Sequence, residues 1–146
     1  MIEILLVNLA ATLFLTGLAW SLQLVQLPIL LQGDYPGLVR QLALHRRLNS
    51  RLMAVPMSLE FLTAVALLFS PFNRIAMVLA MVLWLAIGYA TVWYMLGRHK
   101  LRRGYNQAAM EQMKRANWIR TLGWTGRSLI LLCVTLMCII LPRVRI

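Results

Sequence analysis

Four apolar stretches follow one another along this chain, and each is long enough to cross a lipid bilayer as a helix. They cover approximately residues 4–31, 52–69, 75–96 and 118–141. Because 61% of the 146 residues are hydrophobic and only 13% are charged, a water-soluble domain of this size would expose too much apolar surface. The sequence therefore predicts one all-α membrane domain, a four-transmembrane-helix bundle. The first stretch is too long for a cleavable signal peptide, so we expect it to remain as the first span.

The basic residues predict the orientation of this bundle. Ten Lys and Arg side chains fall in the connections 32–51 and 97–117, and only Arg74, Arg143 and Arg145 fall on the opposite side. Since Lys and Arg accumulate on the cytoplasmic side of a membrane, both basic connections are predicted to be cytoplasmic and both termini outside. The pattern is typical of a bacterial inner-membrane protein. Apolar residues recur at helical spacing in both connections, which predicts short interfacial helices there.

Several other classes of function are disfavoured by where the polar residues stand. The net charge of +11 does not indicate a nucleic-acid partner, because the basic residues lie between apolar spans and not on a soluble face. Membrane lipids are the expected partners. His45 and His99 lie at the edges of spans, so a metal site is disfavoured, as is haem held by intramembrane histidines. Cys133 and Cys138 are five residues apart on one predicted helix, a spacing that disfavours a disulfide between them.

Polar side chains inside the predicted spans are the main candidates for a functional site, because each is expensive to place in hydrocarbon. At 1.5 Å per residue, Gln23, Glu60 and Arg127 are predicted to lie about 12–15 Å from the basic ends of three different spans. A shared depth predicts that the three side chains meet. Further polar residues lie closer to the basic connections, and His45 could fold over the group. The candidate ligand-binding residues are Gln23, Gln26, Asn117, Arg120, Trp124 and Arg127, and the candidate catalytic residues are Glu60 and His45.

Two interpretations of these residues stay open. In one, Glu60 and Arg127 form a buried ion pair that only holds the bundle in register. In the other, they line a polar pocket, open to the cytoplasmic leaflet, for a hydrophobic and partly anionic molecule such as a quinone, a phenolic or a lipid. Acid–base chemistry at Glu60 would fit the second interpretation, and whether the protein is an enzyme is left undecided.

Three functions are therefore carried forward. The first is the binding protein with this cytoplasm-facing pocket. The second is an accessory subunit or assembly factor of a larger membrane complex, which binds through its lipid-facing surface. The third is a transporter, which would require self-association because one four-helix unit is small for a translocation path.

The segment at residues 117–127, which reads N-W-x-R-T-x-x-W-T-x-R, resembles a group of small bacterial four-span membrane proteins of unassigned function. In size and span number the chain is also similar to anthrone-oxygenase-like membrane proteins, which oxidise aromatic polyketides with few cofactors. It is less similar to the four-span protoporphyrinogen oxidases, because it lacks the intramembrane histidine that haem requires. These resemblances imply the four-span architecture and carry no residue roles.

Overall fold

The computed structural model describes residues 1–32, 35–70, 72–104 and 106–140, and between residues 30 and 50 it describes the side chains of 37, 40, 43 and 44 only. Every element in this part of the chain is helical, which confirms the predicted fold class. The elements are α1 (Ile2–Ser21), a π-helical segment (Leu22–Gln26), α2 (Leu27–Gln32), α3 (Tyr35–Leu68), α4 (Arg74–Arg103) and α5 (Gln107–Ile140).

Four of these helical stretches are long and apolar enough to cross a membrane, so the chain is a multi-pass membrane protein. They are Ile2–Ile29, Arg51–Leu68, Arg74–Arg103 and Gln107–Ile140. We call the end of the bundle where α4 ends and α5 begins the basic end, and the opposite end, where α3 turns into α4, the turn end.

Where the structure describes them, the basic connections mostly continue the spanning helices and form no separate interfacial helix. Helices α3 and α5 each contain 34 residues and are therefore about 51 Å long, against a hydrocarbon thickness of about 30 Å. Both helices are therefore longer than the hydrocarbon core is thick. The charge pattern did not indicate whether a helix stops at the basic connections.

Asparagine side chains begin the two helices that follow the short turns. Asn73 Oδ1 accepts a hydrogen bond from the Ala76 amide at 3.2 Å, and Asn106 Oδ1 accepts one from the Ala109 amide at 3.1 Å. Each bond satisfies an amide that the first turn of a helix leaves free. The turn predicted between the second and third spans is therefore present, with α4 beginning at Arg74.

Helix α5 lies between α4 and α1, and α3 packs mainly against α1. The core consists of three clusters stacked along the bundle. The cluster at the turn end is formed by Leu5, Leu9, Leu67, Met77, Leu131 and Val134. The middle apolar cluster is formed by Leu15, Ala19, Ile87 and Trp124. The third apolar cluster, on the side of the basic end, is formed by Leu27, Tyr94, Leu101, Ala109, Met113 and Ala116.

Helices α4 and α5 approach each other closely because small residues line their contact. A Cβ atom on Gly123 would stand 2.8 Å from Ile87 Cγ1, and one on Gly97 would stand 3.2 Å from the Ala109 carbonyl oxygen. Membrane helices associate through such small residues, since lipid provides no hydrophobic force between them. The α4–α5 pair is therefore sensitive to any added side-chain volume.

Hydroxyl groups join α1 to α5. Thr16 and Ser128 share a hydrogen bond between their hydroxyls at 2.7 Å, and Trp20 Nε1 donates to Thr125 Oγ1 at 3.0 Å. Bonds of this kind between membrane helices contribute about 0.6–2 kcal/mol each. They fix how far α1 can slide along α5, and they therefore set the relative heights of the polar residues described next.

Candidate functional site

About midway along the spanning helices, Glu60 of α3 and Arg127 of α5 form a buried ion pair. Arg127 Nη2 lies 2.6 Å from Glu60 Oε1, and the two residues are 1% and 0% exposed. Trp84 Nε1 of α4 donates to the other carboxylate oxygen at 2.7 Å. Both oxygens of Glu60 therefore lie close to a nitrogen from a different helix, Oε2 in a hydrogen bond and Oε1 in a charge contact without hydrogen-bond geometry.

Asn8 of α1 completes this group, which we call the ion-pair cluster (Asn8, Glu60, Trp84 and Arg127). Its Nδ2 donates to the Glu60 carbonyl oxygen at 2.9 Å and to Thr63 Oγ1 at 2.8 Å. Its Oδ1 accepts from Arg127 at 3.4 Å, and Arg127 also donates to the backbone carbonyl of Ala80. Each of the four spanning helices thus contributes a side chain to one hydrogen-bonded unit.

The space beside the ion-pair cluster is small. A cavity of about 10 Å³ borders Asn8 and Arg127 and is otherwise lined by apolar side chains. That volume is close to the minimum for one water molecule. Nε of Arg127 has no hydrogen-bond partner among the described residues, so a single water is the occupant that this cavity fits. A quinone or a phenolic does not fit there.

A second polar group lies toward the basic end, and we call it the basic-end cluster (Gln23, Tyr94, Asn117, Arg120 and Trp124). Asn117 Nδ2 donates to Gln23 Oε1 at 2.5 Å, which joins α5 to the π segment that follows α1. The Arg120 guanidinium carbon lies 5.8 Å from the centre of the Tyr94 ring, within the range of a cation–π contact. Arg120 is only 8% exposed.

The basic-end cluster has hydrogen-bonding groups that the protein does not use. Within the described residues, Arg120 Nε, Trp124 Nε1 and Asn117 Oδ1 are buried without a partner, and no acidic side chain pairs with Arg120. Each buried unsatisfied group costs about 1–3 kcal/mol, and a charged group costs more. Two donors, one acceptor and an unpaired positive charge therefore lie within about two turns of α5.

The π segment determines where Gln23 stands. The Leu27 amide donates to the Leu22 carbonyl, five residues earlier, so the helix holds one residue more in this turn than an α-helix would. Short π segments of this kind occur frequently at functional sites. Gln26, in the same segment, donates from Nε2 to Ser21 Oγ at 3.4 Å.

The structure separates residues that were expected to meet. Glu60 and Arg127 do form the predicted ion pair, but Gln23 belongs to the other cluster. Along α1 and the π segment, Gln23 lies about 22 Å from Asn8, the residue of α1 that joins the ion pair. Asn117 and Arg127 lie about 15 Å apart along α5. The helix of His45 is described, but its side chain lies outside the described residues.

Asn8 and Trp84 are the residues of the ion-pair cluster that sequence reasoning missed. Asn8 interrupts an apolar stretch near the turn end, and Trp84 stands in the middle of another. The signal was available, because counting depth from the turn end instead of the basic end places Asn8, Glu60 and Trp84 within about 6 Å of one another.

Three tryptophans mark one level near the basic end. Trp20 and Trp118 make an edge-to-face contact with ring centres 6.0 Å apart, and Trp93 is the sequence neighbour of Tyr94. The ring contact places Trp20 at the level of Trp118 along the bundle. Asn117, next to Trp118, shares this level, so the basic-end cluster lies there as well.

Comparison of the chain with protein-family models, curated proteins and solved structures found no match. The function therefore has to be inferred from the two clusters themselves.

Proposed function

We propose that the protein is a bacterial inner-membrane binding protein whose basic end faces the cytoplasm. In this proposal the basic-end cluster binds the polar head of a hydrophobic, partly anionic molecule such as a quinone, a phenolic or a lipid. The observation that carries the proposal is the buried, unpaired guanidinium of Arg120 beside two unused hydrogen-bonding groups. A bound head group would satisfy all three.

The roles follow from the chemistry of each group. Arg120 donates to ligand oxygens and supplies the positive charge, and Trp124 Nε1 donates from one turn deeper. Asn117 Oδ1 accepts from a hydroxyl of the ligand while its amide group stays bonded to Gln23. Gln26 lies in the same π segment as Gln23, and a role for His45 stays a prediction because its side chain lies outside the described residues. The cluster combines a few polar groups with aromatic walls, as small-molecule sites usually do.

Glu60 and Arg127 have a different role in this proposal. Their contacts are made within the protein and the cavity beside them holds about one water. They hold the four helices in register and do not touch the ligand, and no proton-transfer role for Glu60 is included.

Replacing Arg120 by Gln tests the binding site. We expect mass spectrometry of the gently purified protein to show one retained non-bulk molecule in the wild type and a loss of most of it in Arg120→Gln. Arg115→Gln is the matched control, because Arg115 is an exposed arginine on the same helix. Equal retention in all three proteins would contradict the proposal. Recovery of a stoichiometric partner polypeptide with no retained molecule would instead support the accessory-subunit function.

The orientation has its own test. Reporter domains fused after Arg103 and after Ile146 should report opposite sides of the membrane, with the Arg103 fusion in the cytoplasm, because the basic connections carry most of the Lys and Arg residues. A cytoplasmic signal from the Ile146 fusion would refute this orientation.

A further inference from the structure

The positions of the tryptophans along the bundle axis locate the membrane surface. At 1.5 Å per residue, the distance is about 27 Å from Ile2 to Trp20 on α1 and about 28 Å from Arg74 to Trp93 on α4. The same count gives about 33 Å from Trp118 to Ile140 on α5. These lengths bracket the hydrocarbon thickness of about 30 Å, and tryptophan favours the boundary with the head groups. The tryptophan level is therefore one membrane surface.

Arg120 stands at this surface. It follows Trp118 by two residues on α5, which is about 3 Å along the helix axis. Trp118 and Ile119 are 42% and 41% exposed, so the site borders the lipid-facing side of the bundle. Side chains on a helix lean toward its N-terminus, which for α5 is the basic end, so the long Arg120 side chain can reach outward from this boundary to the lipid phosphates, which lie just outside the acyl esters.

The charge of the site restricts the chemical class of the ligand further. Glu3, Glu60 and Glu111 are the acidic side chains of the described residues, and none of them pairs with Arg120. A neutral quinone or phenol would give hydrogen bonds but would leave the guanidinium charge uncompensated, which is costly when Arg120 is more than nine-tenths buried. An anionic group that accepts hydrogen bonds from the planar guanidinium through two oxygens both compensates the charge and satisfies the guanidinium donors.

The order of unused groups along α5 fits one ligand class. Asn117 Oδ1 accepts at the outer level, Arg120 donates about 4.5 Å deeper, and Trp124 Nε1 donates about 6 Å deeper again. A phospholipid offers a head-group hydroxyl, then a phosphate, then an acyl ester carbonyl in the same order. Resting on the function proposed above, we infer that Arg120 binds the phosphate of an anionic, hydroxyl-bearing phospholipid from the leaflet at the basic end.

The test uses the full chain in nanodiscs of phosphatidylcholine with increasing phosphatidylglycerol, and native mass spectrometry as the readout. We expect one phosphatidylglycerol to be retained in preference to phosphatidylcholine. Arg120→Gln should weaken this retention about ten- to a hundredfold, as loss of a charged hydrogen-bonding partner does, and Arg115→Gln should leave it within about twofold. If Arg120→Gln fails to fold, Arg120→Lys replaces it, with a smaller expected loss because Lys keeps the charge but not the two-pronged geometry.

The other outcomes each overturn the inference. Displacement of the bound lipid by millimolar inorganic phosphate would show a site for a soluble phosphate. Equal retention of the two lipids, or an unchanged Arg120→Gln, would show that the phosphate is not bound by Arg120. Retention of a neutral quinone that depends on Arg120 would refute the phospholipid while leaving the proposed function intact. Retention of no molecule of any class would refute both.

Discussion

Glu60→Gln and Arg127→Gln, made separately, are each expected to lower the free energy of unfolding by about 3–5 kcal/mol. Either change leaves one buried partner without its counterpart: Arg127 keeps an uncompensated charge, or Glu60 does. Reversible unfolding in mixed micelles measures the loss. The expected loss is large because both side chains are buried away from bulk solvent.

The stability of the double variant tells whether the two side chains stabilise the protein as a pair or independently. Glu60→Gln with Arg127→Gln should lose clearly less stability than the sum of the single losses, since no charge remains buried. The exposed pair Lys114–Glu111 is the matched control, with side chains 41% and 49% exposed. Glu111→Gln is expected to change stability by about 0.5 kcal/mol or less. Additive losses at Glu60 and Arg127 would show that the two side chains do not act as a pair.

Gly123→Ala is expected to destabilise the protein by about 1–3 kcal/mol, because overfilling a close contact forces backbone or side-chain shifts. The added Cβ would meet Ile87 Cγ1 at 2.8 Å. Gly88→Ala is the control: a Cβ there meets nothing within 4 Å, so it should be neutral or slightly stabilising through helix propensity. The same micelle unfolding assay compares them.

Removing the obstructing side chain should rescue the Gly123 variant. In Gly123→Ala with Ile87→Ala, the loss is expected to be smaller than the sum of the two single losses, because the new methyl occupies part of the space that isoleucine left. If the losses at Gly123 and Ile87 simply add, the sensitivity of Gly123 has a cause other than this contact.

The sequence was sufficient for the architecture because the bilayer demands long apolar helices and tolerates few alternatives. The spans agree with the prediction to within a few residues at the turn end. At the basic end they do not, since α4 and α5 continue as helices to Arg103 and from Gln107. A change in hydropathy marks a change in the composition of the chain, whereas a helix ends where its hydrogen bonds or caps end.

The ion pair was predictable and its surroundings were not. Glu60 and Arg127 are opposite charges in apolar stretches, and each needs a partner. The depth of Gln23 was misjudged because the first apolar stretch continues to Leu31, past the tryptophan level at Trp20. The end of an apolar stretch longer than the bilayer is thick does not mark the membrane surface.

The π segment at Leu22–Gln26 affects how this protein tolerates changes in chain length. In this segment a backbone amide donates to the carbonyl five residues earlier instead of four. The segment therefore accommodates one additional amino acid, while the helical turns on both sides keep the same faces toward the core. Deleting one amino acid here would therefore restore an ordinary helix, leave the buried faces of α1 and α2 in phase and abolish the placement of Gln23. The proposed binding would then be lost while the helices keep their packing, whereas the same deletion in mid-α1 would rotate every following side chain out of the core.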